Sequence, residues 1–190
     1  RRKREAGEKR TLASYTRIAN VLFDFSAAQR ESKNDDGQER GKDDQLFRNV
    51  EKWGMKLLSA DAARLWLFGE EKSKPFTIHG GKTWKLQAPS NHIVRQVIAL
   101  KKPVFLEKAS MDDIDESLTD AVKEIKNVAC LPVQESLSHE VRGVLQIINA
   151  KSSLYTEADR DALKHFATEI ACQLRKEERE KLLKEHLQLA

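Results

Sequence analysis

The order of apolar and polar positions divides the chain into helix-periodic and strand-like stretches. From Thr11 to about Gln29, apolar residues recur at Leu12, Tyr15, Ile18, Ala19, Leu22 and Phe25, the spacing of one helix face. Residues 31–44, ESKNDDGQERGKDD, hold no apolar side chain and carry Asn-Asp-Asp-Gly turn chemistry, which predicts a mobile polar loop inside a domain. Asp43 or Asp44 is placed to cap a second helix whose stripe is Leu46, Phe47, Val50, Trp53, Leu57 and Leu58. Strands follow. ARLWLF (63–68) is a short run of large apolar residues ending at Gly69, and PFTIH (75–79) comes after a charged turn. Gly80-Gly81 separates PFTIH from the alternating KTWKLQ (82–87), a hairpin signature.

Pro89-Ser90 opens a helix whose buried face is Ile93, Val94, Val97 and Ile98, with Lys101-Lys102 complementing its C-terminal dipole. PVFLE (103–107) reads as a strand, and an acidic segment from Ser110 as a short helix ending near Lys126. VACLPV (128–133) and VRGVLQIINA (141–150) form a hairpin around the polar turn QESLSHE. From Thr156 to near Leu189 neither Gly nor Pro interrupts a long terminal helix. Hairpins with helices packed on the sheet predict an α+β fold.

Composition narrows the class. The 190 residues (21.7 kDa) suit one domain with appended helices, and 39% hydrophobic with 34% charged residues is a folded, soluble composition. No apolar run approaches the roughly 18 residues of a spanning helix. Two cysteines, Cys130 and Cys172, are too few for a disulfide framework or a thiolate zinc site and fit a reducing, cytoplasmic setting. The net charge of +4 sits entirely in RRKREAGEKR, residues 1–10; the remainder is neutral. The simplest reading of this tip is a solvated lead-in to a helix, with a localisation signal or a phosphate-contacting tail as alternatives. No basic stripe interleaved with aromatics runs through the rest, so no specific nucleic-acid partner is expected. Starting at Arg1 without Met, the chain is expected to be a piece of a longer protein.

Candidate chemistry fails on spacing. HGGKT (79–83) lacks the first P-loop glycine, Phe76 standing there, and leads into a strand. Asp113, Asp115, Ser117, Thr119 and Glu124 match several oxygen positions of a calcium loop, but Leu118 occupies the turn glycine, so helix-favouring acids are the simpler reading. His79, His92, His139, His165 and His186 form no HExxH pair, and no Gly-x-Ser-x-Gly elbow occurs. Cys130 in mid-strand and Cys172, on the helix face with Ala167 and Ile170, are expected to pack as small apolar groups. Neither catalytic residues nor a metal site are expected.

NVACLPV, VRGVLQIINAK and LYTEADRDALKHFATEIACQL together resemble the closing strands and last helix of a GAF domain, the small-molecule-sensing module of cyclic-nucleotide phosphodiesterases and adenylyl cyclases. LQAPSNHIVRQVIALKKPVFLEKASMDD and ADAARLWLF are similar to its earlier segments, so the resemblance covers about Leu12 to Leu174. It implies a GAF/PAS-like antiparallel sheet with long N- and C-terminal helices: a basic lead-in over 1–10, a GAF domain over 11–175 and a projecting signalling helix over 176–190. Cyclic-nucleotide-binding members carry Asn-Lys, a gap, Phe, three residues, then Asp-Glu. Here Asn149 and Asp159 match, the Lys is displaced to Lys151, Tyr155 stands for Phe, Arg160 replaces Glu, and Ala150 is inserted. These departures bear on nucleotide binding and not on the fold. The resemblance implies an ion pair between Lys151 and Asp159.

By family position the ligand-binding residues are Ser90 and Ile93 at the third helix, Ser110 and Asp112 in the acidic segment, and Val128 and Cys130 on the hairpin. The Cys-His pair of bilin photoreceptors, the cysteine set of free-methionine-sulfoxide reductases and the phosphodiesterase His/Asp cluster are missing from this sequence. The implied function is a regulatory domain without enzyme activity of its own. It senses a small ligand, with cAMP or cGMP as candidate, and signals to an attached domain. The alternative is a ligand-free dimerisation or interaction scaffold with a vestigial pocket. Near-heptad spacing at Leu12, Tyr15, Ala19 and Leu22, with Leu182, Leu183, Leu187 and Leu189 at the other end, predicts a parallel homodimer through the terminal helices.

Overall fold

Among the described residues four α-helices and six strands follow the predicted order, apart from the helix expected in the acidic segment: α1 (Arg2–Glu31), α2 (Lys42–Leu58), β1 (Ala62–Leu67), β2 (Phe76–His79), β3 (Lys82–Lys85), α3 (Ile93–Leu100), β4 (Val104–Leu106), β5 (Val128–Gln134), β6 (Val141–Ile148) and α4 (Glu157–Leu189). They come from a computed structural model that describes residues 2–31, 42–68, 74–87, 92–115, 118, 122–152 and 154–189. The strands form one antiparallel sheet in the order β3-β2-β1-β6-β5-β4. It is an α+β fold.

Alternation along the central strands sends successive side chains to opposite faces. On one face Ala63 and Leu65 of β1, Leu145 and Ile147 of β6, and Ala129, Leu131 and Val133 of β5 meet Phe25 of α1, Phe47 and Val50 of α2, and Leu163, Phe166 and Ile170 of α4. Phe25 and Phe166 touch edge to face at 5.0 Å, tying the two terminal helices together. Helix α2 comes so close to the sheet that a Cβ on Gly54 would stand 2.9 Å from the Cβ of Ala63. On the opposite face Ala62, Trp66, Val128, Cys130, Val144 and Ile148 meet Ile93, Val94 and Val97 of α3, with Leu86, Ile114, Leu118 and Val122 completing a second, smaller core. Because both faces are covered, the central strands read as apolar runs and not as alternating ones.

Several local expectations are revised. Helix α1 begins at Arg2, so residues 2–10 continue the helix and do not lead into it; Arg4 and Glu8 pair across one turn there. The loop expected over 31–44 lies mostly outside the described residues, and its ends belong to α1 and α2. Asp44 falls inside the first turn of α2, where it accepts from Arg48 four residues on and does not cap. Of the helix expected from Ser110 to near Lys126, the described residues hold a 3-10 turn at Met111–Asp113 and 3-10 geometry at Leu118, whose N–H donates to the Asp115 carbonyl at 3.0 Å. The Asp113 carboxylate accepts from the Ser110 backbone at 2.9 Å, closing the capping box of that turn. Cys172 is exposed, one position off the buried line of Ile170, Ala171 and Gln173. Gly80 and Gly81 take φ of 59° and 74°, the two-residue hairpin turn that side chains resist, so HGGKT is a turn.

Candidate functional site

The sheet face beneath α3 gathers polar groups that its apolar strands would not lead one to expect. Arg64 lies between Ala62 and Trp66 on β1, and Gln146 between Val144 and Ile148 on β6. The register pairs Arg64 with Gln146 and Gln146 with Cys130, giving an Arg–Gln–Cys row across three strands. All three are buried. The Trp66 indole donates to Gln146 Oε1 at 3.1 Å, and Gln146 Nε2 donates to the Asp113 carbonyl at 3.4 Å, tying the 3-10 segment to the sheet.

His92 starts α3. Its Nδ1 accepts from the Val94 backbone at 3.3 Å, which leaves the proton of the neutral ring on Nε2. Burial lowers its pKa, opposed by the Ile114 backbone and the Asp115 and Asp113 carboxylates, so the ring is held neutral. Nε2 is buried and makes no full hydrogen bond, the Ile114 backbone lying beside the ring. Thr77 of β2 lies opposite Trp84 of β3, on the face away from Phe76 and Ile78, which pack into the first core. Thr77 Oγ1 and Trp84 Nε1 are likewise buried and unpaired.

Arg64 is only 3% exposed. Strand β2 pairs with β1 only at Leu67–Phe76, and beside this opening Arg64 Nη1 reaches Glu51 Oε1 of α2 at 3.0 Å and donates to the Ala63 carbonyl at 3.0 Å. Glu51 also meets His79 Nδ1 at 3.1 Å. Burial lowers the Arg64 pKa and Glu51 opposes the shift, so the guanidinium stays charged. Its Nε and Nη2 are buried with no partner.

Of the residues expected to bind ligand, Ile93, Val128 and Cys130 meet in this second core. Ser110 and Asp112 are exposed, Ser110 being engaged with Asp113, and Ser90 lies outside the described residues. Burial, with Asp113 adding, pushes the Cys130 thiol far above its usual range, so it is no thiolate nucleophile. Arg64, Gln146, His92, Thr77 and Trp84 escape sequence reasoning. The signal was there for two: a charge inside ARLWL and an amide inside VLQII each interrupt an apolar strand, where buried polar groups carry information.

The family motif forms a separate latch at the end of β6. Asn149, at φ 55°, accepts through Oδ1 from the backbone of Lys126 (2.7 Å) and Asn127 (3.3 Å) and donates to Asp61 (2.9 Å) and the Glu124 carbonyl. Asn127 grips the inserted Ala150 through both its N–H and C=O, and accepts from the Tyr155 hydroxyl at 2.6 Å. Burial, with Cys130 and Asp159 adding, raises the Tyr155 pKa and keeps that phenol protonated. The ion pair expected between Lys151 and Asp159 does not form. Asp159 instead closes a reciprocal cap with Thr156 at the start of α4, at 3.1 and 3.2 Å. Arg160, in place of Glu, donates to the Tyr155 carbonyl at 3.0 Å and lies over the Phe105 ring at 4.4 Å.

An antiparallel sheet backed by long helices on one face, with a short helix over buried polar groups on the other, defines the α+β class of this domain. The chain belongs to the GAF domain family: the family model described as GAF domain matches residues 44–174. This is a family of regulatory, ligand-binding signalling modules found in diverse proteins. Similar solved structures include the GAF domain of a Coxiella burnetii phosphoenolpyruvate-protein phosphotransferase (14% identity, TM-score 0.62, covering 88% of this chain and 98% of that one). The Acinetobacter counterpart is 15% identical with TM-score 0.57, covering 86% and 96%. Free methionine-R-sulfoxide reductase from Neisseria meningitidis, solved with its substrate, is 10% identical with TM-score 0.58, covering 90% and 93%. At these identities the likeness is one of fold. No curated protein matches the chain. Among the described residues no helix is long and apolar enough to cross a membrane.

Proposed function

We propose that this GAF domain senses a small ligand on the α3 face of its sheet and transmits the change to an attached domain, without catalysing a reaction itself. The carrying observation is a set of buried, unpaired polar groups: Thr77 Oγ1, Trp84 Nε1 and His92 Nε2 on that face, with Arg64 Nε and Nη2 on a side chain that also reaches Glu51 of α2, against Asp44 Oδ1 and Trp53 Nε1 on α2 itself. Buried polar atoms are nearly always hydrogen-bonded in a finished core, and several orphans on one face fit a surface completed by a bound molecule. The opposite face, joined to it through the same strands, carries the long helices α1 and α4, which supply the route to a neighbouring domain.

A cyclic nucleotide is the first ligand to test, since the family motif is partly retained. At 100 times its dissociation constant, cAMP or cGMP stabilises a domain that binds it by about 2.7 kcal/mol. For this chain length that raises the melting temperature by roughly 5–10 °C. No shift with either nucleotide at millimolar concentration removes the nucleotide from the proposal.

The second reading, an assembly scaffold, is favoured by apolar side chains left in solvent on both terminal helices: Leu12, Tyr15 and Phe23 of α1, and Leu182, Leu183, Leu187 and Leu189 of α4. A helix of 33 residues spans about 50 Å, and a projecting helix is marginal in water without a packing partner. A parallel homodimer through these helices is its concrete form. Light scattering at tens of micromolar tests it: a monomer mass, unchanged on deleting residues 175–190, ends that reading for this chain.

A further inference from the structure

The guanidinium of Arg64 is held along one side only. Nη1 serves Glu51 and the Ala63 carbonyl. Nη1 is the nitrogen on the Cδ side of the guanidinium plane, so the two remaining groups, Nε–H and Nη2–H, point the same way from the opposite edge. That edge presents two parallel charged donors, the geometry that grips both oxygens of a carboxylate or two oxygens of a phosphate. Both nitrogens are buried and unpaired. Across the strand from Arg64, Gln146 Oε1 accepts from the Trp66 indole. The one carboxylate on Arg64 is shared with His79 and lies on α2, beside the other edge of the fork. A structural ion pair has no use for a second, empty donor edge turned away from its partner.

Resting on the sensing reading of the α3 face, we infer that its ligand carries a carboxylate or phosphate group and that this anion seats on the Nε–Nη2 edge of Arg64. The pairing is bidentate and charge-assisted. Glu51 holds the far edge and thereby fixes the plane of the fork before the ligand arrives. Lysine in this place supplies a charge and no fork, so it separates attraction from recognition.

The test uses the full chain, labelled with ¹⁵N, and follows the Nε–H signal of Arg64, assigned through its own backbone. Acetate probes a carboxylate, inorganic phosphate a free phosphate, and cAMP and cGMP a cyclic phosphodiester, each titrated at constant ionic strength against sodium chloride. The expected result is a saturable shift of that one Nε–H with at least one of the anions and not with chloride, and at least tenfold weaker binding in Arg64→Lys. Equal affinity in Arg64→Lys overturns the inference. So does an Nε–H that responds saturably to no anion and exchanges with an ordered water only. In that event a melting shift with a cyclic nucleotide shows that the sensing reading stands while the anchor fails, and the lack of any melting shift removes the nucleotide together with the anchor. If Arg64→Lys does not fold, the wild-type Nε–H signal still decides.

Discussion

The two faces of the sheet are built from the same strands and solve different problems. Beneath α1, α2 and α4 the core is larger and mostly apolar; its buried polar side chains Gln29 and Asn49 bond to each other, and Asp44 Oδ1 and Trp53 Nε1 of α2 are the unpaired atoms there among the described residues. Beneath α3 the apolar cluster is smaller and encloses Arg64, Gln146 and His92. Burying such groups costs free energy unless each finds a partner, and the row beneath α3 leaves several without one. The first face is therefore the one that holds the fold, and the second tolerates a local cost that a ligand removes.

Truncating the first face is the strongest way to break this contrast. Phe166 is fully buried between Phe25 and the sheet, and Phe166→Ala is expected to destabilise by about 3–5 kcal/mol, read as a fall in the urea midpoint. A loss under about 1 kcal/mol would show that the helical face does not dominate stability. Gly143 tests the sheet common to both faces. A Cβ there would stand 2.2 Å from the Trp66 carbonyl oxygen, a backbone atom that cannot swing aside, so Gly143→Ala is expected to cost at least about 1–3 kcal/mol.

On the second face the expected stability effect is small and its direction informative. Arg64→Met combined with Glu51→Met removes both partners of the buried ion pair and keeps comparable volume. Such replacements are commonly neutral or stabilising, so we expect a change within about 1 kcal/mol, alongside loss of ligand response. The smallest effect concerns pH. The pKa of His92 is lowered in the folded state, so above 6.5 the ring is neutral both folded and unfolded and its contribution is fully present. Below 6.5 the unfolded chain takes up the proton first, and stability falls as the pH drops towards the folded pKa. His92→Asn is expected to flatten the urea midpoint between pH 7 and 5. An unchanged pH dependence would show that His92 is not held neutral.

The latch at Asn149 shows why family pattern and physical role part company. The sequence marked Asn149, Lys151, Tyr155 and Asp159 as a unit, and three of the four take part in fixing the β6–α4 junction, though not through the expected ion pair. Insertion of Ala150 gives Asn127 a backbone N–H and C=O to hold, and Thr156 claims the carboxylate of Asp159. Which acceptor a carboxylate takes depends on the nearest donors in space, and the spacing of letters does not rank them.

Periodicity and turn chemistry in the sequence determined the element order, the α+β class, the Gly80-Gly81 hairpin and the apolar stripes that face the sheet. These are local properties: a period of 3.6 or 2 and a positive φ are set within a few residues. The tertiary structure decided which strands are neighbours in the sheet, that the acidic segment holds a 3-10 turn, that Cys172 points outward, and that Arg64, Gln146 and Cys130 form one row. Residues 64, 130 and 146 are joined only by strand register, and a side chain's partners, burial and unpaired edges exist only after distant segments meet.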